Sequence, residues 1–219
     1  TTEVENIPQL EKVLDEVSSD TLLWPNAYYV DAGAGKVAWL NNYIEARQLP
    51  YLGSNAETLR TILEKDACQA VLRENGQPIP DYTVITRGNI EDIDSLISQN
   101  IGSFPVVLKP TAESGSVGVS MAGNLWKARE DAIQILKDFP QSNVIIEAFL
   151  PSDDITCGFL QLGEEVMLLP TAYIVKSVAG KSNILSRKER LRPWDDEDKM
   201  QPYIADEAIL GQLRMHIPT

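Results

Sequence analysis

Cysteine and histidine are almost absent from this sequence: Cys68, Cys157 and a single His216 are all it has in 219 residues. Two thiols without metal spacing give no disulfide framework, and a lone imidazole gives no zinc cluster, so Cys68 and Cys157 are expected to pack as small apolar groups. Positive charge is also scarce. With 19 Lys and Arg against 32 Asp and Glu, the net charge is −13. A sequence-independent grip on DNA or RNA needs a basic face, so nucleic acid is not an expected partner and any phosphate site has to be local. No apolar run approaches the roughly 18 residues that would span a bilayer. The opening TTEVEN has neither the basic nor the apolar part of a signal peptide. The expectation is a cytoplasmic protein with no membrane partner. What is present is ordinary globular material, 43% apolar and 23% charged, without repeats or low-complexity tracts.

Residues 7–17 read as a helix, with Leu10, Val13, Leu14 and Val17 on one stripe and SSD as the turn that ends it. LLWPNAYYV follows as an extended segment, DAGAGK as a glycine-rich turn feeding a helix, and LPYLGS as a short strand. Gly33 and Gly35 could mark a ligand turn, but the rest of a dinucleotide fingerprint is missing and a plain strand-to-helix turn suffices. Ser54 and Glu57 predict a capping box for one long helix, with Leu59, Ile62, Leu63, Ala67, Ala70 and Val71 on its buried side. Gly76 is its stop signal, and Lys65 falls off the stripe. The proline-rich GQPIP predicts a domain boundary near residue 80. Beyond it, strands over 82–86, 104–109, 117–122, 143–148 and 156–162, with helices over 90–99 and 126–137, predict an α+β layer with an antiparallel sheet. One more strand (167–175), a basic irregular stretch and a short helix (206–215) close the chain.

VVLKPTAESGSVGVS, residues 106–120, places Lys109 at the end of an apolar strand and before a loop of small residues, Thr111 to Val117. Small side chains let an anion approach backbone donors closely, and the lysine adds a point charge. In a Walker loop the lysine comes after the glycines, at a helix N-terminus; here it precedes the loop and a strand follows, so a Walker site is not predicted. A β-hairpin with a snorkelling lysine is the plain alternative. NVIIEAFLPSDD ends a second buried strand on Glu147, followed by Phe149, Leu150 and a proline. A strand-end carboxylate can accept from an exocyclic amine while an aromatic covers a purine, although alone such a glutamate is an ordinary rim residue.

PYLGS, EKDACQAVLRENGQPIP, FPVVLKPTAESGSVGVS and NVIIEAFLPSDDITCGFL, in that order and spacing, resemble the ATP-grasp fold, and within it the D-alanine–D-alanine ligase-like branch. The resemblance covers roughly residues 25–170. It implies an α/β (α+β) chain with three parts: a partial N-terminal α/β domain over 1–80, a central antiparallel-sheet nucleotide-binding subdomain over 81–165, and the beginning of a C-terminal subdomain over 166–219. It also implies roles. Lys65 and Lys109 would reach the nucleotide phosphates, and Glu113, Ser114, Gly115 and Ser116 would fold over them. Glu147 would accept from the adenine amine, the Phe149 and Leu150 backbone would read the base, and Asp154 would hold the ribose where the family usually has glutamate. Lys109, Ser114 and Ser116 are the candidate catalytic groups, with ATP and Mg2+ as cofactors.

The loop departs from the family's usual Glu-Gly-Ser-Ser by reading Glu113-Ser114-Gly115-Ser116. KSNILSRKERLRP, 181–193, stands roughly where the family has a substrate-covering loop; Lys188 or Arg190 could reach a γ-phosphate, though a charge run is usually a solvated face. Asp195, Asp196, Glu197 and Asp198 read as an exposed loop, and the metal ligands are expected beyond the chain end. The function implied is ATP-dependent ligation of a carboxylate to an amine on amino acids or small peptides, through an acyl-phosphate, with a homodimer as the candidate assembly. The alternative is a non-catalytic ATP-grasp module that binds nucleotide or a partner.

Overall fold

The computed structural model describes residues 2–34, 36–175, 191–193 and 202–215. The chain divides into two compact units, Thr1–Ile79 and Pro80–Thr219.

In the first unit, helix α1 (Ile7–Glu16) starts on Asn6, whose side chain accepts from the Gln9 amide, and buries Leu10 and Leu14. These pack with Val30, Leu40, Ile44 and Leu49 into one apolar cluster. Strands β1 (Tyr29–Gly33) and β2 (Lys36–Trp39) pair antiparallel, and helix α2 (Leu40–Glu45) follows directly. The glycine-rich DAGAGK therefore turns a hairpin rather than feeding a helix. Asp31 Oδ1 accepts from the Gly33 amide at 2.7 Å, and Gly33 and Ala34 both have positive φ, the geometry that tight hairpin connections favour. LPYLGS contributes only a single parallel bridge, Leu23 to Tyr51, because Pro50 offers no N–H and Gly53 turns the chain away at φ +127°.

The expected long helix is two: α3 (Ala56–Leu63) and α4 (Lys65–Glu74). Asn55, not Ser54, is the cap, accepting from the Thr58 amide at 2.7 Å. Glu64 separates the helices at ψ 98° yet keeps a helical hydrogen bond on each side, its amide to Arg60 O and its carbonyl to the Cys68 amide. The chain is kinked there rather than released, and the apolar stripe loses its continuity: no α4 residue is fully buried.

The second unit is built on an antiparallel sheet of β3 (Tyr82–Ile85), β4 (Val106–Pro110), β5 (Ser120–Ala122) and β6 (Val144–Ala148), in spatial order β3-β6-β4-β5. Alternation along each strand sends Ile85, Val106, Leu108, Ala122, Val144 and Ile146 to one face. There they pack against Ile93 and Ile97 of α5 (Ile93–Asn100) and Ala128, Ala132, Ile135 and Leu136 of α6 (Leu125–Asp138). Arg129 ties the two helices by donating to Glu91 and Asp94 at 3.0 to 3.2 Å. The opposite face carries Tyr82, Val84, Val107, Lys109, Met121, Ile145 and Glu147 by the same register. A second sheet, β7 (Asp154–Leu162), β8 (Glu165–Val175) and β9 (Pro202–Ile204), is covered by α7 (Glu207–Met215), with Cys157 packed beside Ala205 and Leu210. Both cysteines are free. Lys181, Lys188, Arg190 and the 195–198 acids lie outside the described residues.

Two outcomes follow from packing and burial. Gly118 sits at φ +69°, and a Cβ there would stand 2.7 Å from both Phe139 and Pro110. Gly118→Ala should therefore lower stability by about 2–3 kcal/mol in urea unfolding, whereas Gly123→Ala, with nothing within 4 Å of its Cβ, should change it by less than about 0.5 kcal/mol. Burial and a hydrogen bond to Glu45 raise the Tyr51 phenol from 10.0 to about 12. The folded chain holds that proton longer than the unfolded chain does, so its contribution to stability is complete below pH 10 and declines as pH rises towards 12. Tyr51→Phe should flatten this part of a melting-temperature profile.

Candidate functional site

Lys109 and Glu147 come from neighbouring antiparallel strands, β4 and β6, one register step apart: Val107 faces Glu147 and Lys109 faces Ile145. Diagonal neighbours on one face are within reach of long side chains. Lys109 Nζ donates to Glu147 Oε2 across that diagonal. The lysine side chain keeps 28% of its surface exposed and the glutamate only 8%, so the carboxylate is the desolvated member. A buried carboxylate without a counter-charge is costly, and the ammonium supplies one at contact distance.

The chain leaves β4 through Pro110 and enters a loop whose first residues are fixed. Thr111 is buried; its amide donates to Asn143 O at 2.9 Å, and its hydroxyl accepts from the Asn143 amide at 3.1 Å. The Ala112 amide donates to the hydroxyl of buried Ser142 at 3.2 Å. Beyond this anchor the loop turns over Ser114–Val117, closed by a 3.2 Å bond from the Val117 amide to Ser114 O. Gly115 and Ser116 both take left-handed φ, +63° and +59°. Gly115 does so without penalty, while Ser116 carries the cost a Cβ brings there. The exposed tip is Ser114 and Gly115; Glu113 and Ser116 are half-buried. The expected strand 117–122 shrinks to β5, Ser120–Ala122, because the left-handed Gly118 interrupts it.

After Glu147 the chain runs through Ala148, whose amide donates to Asp81 O at 2.8 Å, and Phe149, whose amide donates to Pro105 O at 3.2 Å. The Phe149 N–H is thus committed within the protein. Leu150 is exposed, and its N–H has no acceptor among the described residues. Asp154 opens β7 and is exposed. Central-sheet register therefore brings Lys109 and Glu147 together, and chain continuity sets residues 113–116 and 149–150 at the ends of the same two strands. Lys65 is the first residue of α4 in the other unit and is half-buried. Thr111, Ser142 and Asn143 were not legible as site residues. Their only local signal is small polar residues flanking two strands, and their pairing spans about thirty residues of chain. Among the described residues no group of three or more His, Cys, Asp or Glu could hold a metal ion, and no helix is long and apolar enough to cross a membrane.

Comparison with known proteins gives a consistent result. A family model described as the D-ala D-ala ligase C-terminus matches residues 71–197, more than half of the chain. D-alanine–D-alanine ligase from Streptococcus uberis is 29% identical over 82% of this chain and 49% of its own length. That from Aquifex aeolicus is 28% identical over 64% and 45%. The chain thus spans about half the length of the curated relatives it matches. Among solved structures, D-alanyl-alanine synthetase A from Vibrio cholerae superposes with a TM-score of 0.63 at 11% identity, covering 89% of this chain and 56% of that one. The D-Ala:D-Ser ligase from Enterococcus faecalis superposes at 0.61 and 18%, over 73% and 44%. These likenesses show the fold, an α+β architecture with antiparallel sheets.

The ion pair generates its own test. Lys109→Met should cost about 2 kcal/mol because it takes the Lys109 counter-charge from a buried carboxylate, and Glu147→Gln less, because the lysine keeps access to water. In a double-mutant cycle read by denaturant unfolding, the pair should show a coupling of about 1 kcal/mol or more; additive losses would mean the two charges do not support each other.

Proposed function

The chain belongs to the D-ala D-ala ligase C-terminal family of the ATP-grasp superfamily, and from that premise we propose that it carries the nucleotide-binding half of an ATP-dependent carboxylate–amine ligase acting on amino acids or small peptides. The observation that carries the reading is the single sheet face on which Lys109 meets a buried glutamate beside a glycine- and serine-rich loop.

In this reading ATP lies along that face. Lys109 takes phosphate charge, and the 113–116 loop covers the phosphates with backbone amides and the Ser114 and Ser116 hydroxyls. Glu147 accepts from the exocyclic amine of adenine, and the Leu150 N–H donates to the ring. Phe149 contributes its ring rather than its committed amide, and Asp154 receives the ribose hydroxyls. Phosphoryl transfer to a substrate carboxylate yields an acyl-phosphate and ADP; attack by an amine then forms the C–N bond and releases phosphate. Several anionic oxygens converge in the first step, so pre-placed cations and N–H dipoles lower its barrier by offsetting their repulsion. Mg2+ would share that load, but the described acids do not make a site for it, and Lys109 and the loop amides supply neutralising charge among the described residues. ATP dependence fits a cytoplasmic enzyme with small-molecule partners, and a homodimer is the assembly we favour.

Thermal unfolding with and without millimolar ATP, in magnesium and then in chelator, tests the reading. Binding at about 100 times the dissociation constant adds about 2.7 kcal/mol, a shift of several degrees. The shift should appear with the wild-type chain and vanish in Lys109→Ala. A shift that survives the substitution would remove Lys109 from the site, and none in the wild type would remove nucleotide binding from this chain.

A further inference from the structure

We infer that Arg87 is a positioning residue for the phosphate-covering loop, acting through the turn that follows α6. The inference rests on the nucleotide-site reading above and adds to it a group that touches no ligand.

Arg87 follows β3 by two residues and is exposed, and its guanidinium reaches three backbone carbonyls near the end of α6. Nη2 donates to Leu136 O and, at 3.4 Å, to Phe139 O; Nη1 donates to Ser142 O at 3.3 Å. The last carbonyls of a helix lack intrahelical partners, and a cation there also suits the negative end of the helix dipole. The fork holds more than a helix end, because its three acceptors bracket the turn Phe139–Ser142, which is closed by a 3.0 Å bond from the Ser142 amide to Phe139 O.

That turn touches both ends of the glycine-rich loop. On the outgoing side, the Ser142 hydroxyl accepts from the Ala112 amide, and Asn143 exchanges two hydrogen bonds with Thr111. On the returning side, the Phe139 ring lies so close to Gly118 that a Cβ there would stand 2.7 Å from it. Residues 113–117 are therefore slung between two points fixed to one four-residue turn, and Arg87 locks the backbone of that turn. Loosening the turn lets both anchor points drift together, which lengthens the reach available to the loop tip. A lysine at 87 would keep the charge but lose the planar fork that spans separate acceptors.

The test compares Arg87→Ala, Arg87→Lys and Ser142→Ala with Arg129→Ala, an arginine of α6 itself that binds only Glu91 and Asp94 in the described bonds. Amide hydrogen exchange at residues 113–117 reads loop order without any ligand, and calorimetry with ATP reads affinity. Arg87→Ala should speed exchange there about ten-fold and weaken ATP about ten-fold, the loss of one charge-assisted contact set. Arg87→Lys should fall between Ala and wild type. Ser142→Ala, which removes only the acceptor of the Ala112 amide, should move both readouts in the same direction, so the inference is testable even if Arg87→Ala fails to fold. Arg129→Ala should lower the melting temperature while leaving both readouts at wild-type values. Unchanged exchange in the Arg87 and Ser142 variants would overturn the inference. Faster exchange in a chain whose wild type binds no ATP would uphold the clamp and overturn the nucleotide reading instead.

Discussion

The pairing of β4 with β6 is the constraint on which the rest of this unit depends. A strand's side chains alternate with a period of two residues, so the register that puts Val106, Leu108, Val144 and Ile146 against the helices also puts Lys109 and Glu147 on the opposite face. Slipping either strand by one residue would drive its charge into the apolar core and expose its two aliphatic core side chains. Core and chemistry are thus specified by one decision. The same pairing continues past the strand ends, where Thr111 and Asn143 exchange hydrogen bonds, so the geometry of the loop is an extension of the ladder.

Charge on this chain works at two ranges. With a net charge of −13, the protein as a whole repels a polyanionic ligand, but at physiological salt that field is screened beyond about 8 Å. Inside that distance the local arrangement decides, and there the Lys109 ammonium stands against one buried glutamate. Discrimination would then come from short-range complementarity more than from attraction during approach.

Much of the central unit was legible because its signals are local. Strand alternation, the apolar stripes of α5 and α6, and the lysine-to-loop and strand-end glutamate patterns all lie within single segments. The first unit was read less well, and each difference has a physical reason. DAGAGK became a hairpin because Val37 to Trp39 pair back on Tyr29 to Asp31, a choice that needs the partner strand to be known. The long helix broke at Glu64 although its apolar spacing runs through, since a single ψ of 98° leaves no trace in periodicity. β9 has three residues, too few for any pattern. At the proposed site, Lys109 and Glu147 stood out in the sequence, but Arg87, Ser142 and Phe139 did not, because their contacts are to residues some twenty to fifty-five positions away.

The order β3-β6-β4-β5 also bears on how this protein meets copies of itself. The strands at the two margins of the central sheet, β3 and β5, are four and three residues long. An unpaired sheet margin is a template on which another chain can add a strand, and its hazard grows with the length of flat backbone on offer. Here an intruding strand would find at most one or two pairs of hydrogen bonds before the template ran out. The five-residue strands β4 and β6, rich in valine and isoleucine, sit between neighbours on both sides. Placing the shortest strands outermost gives this sheet resistance to edge-on aggregation without proline or charge to blunt its margins.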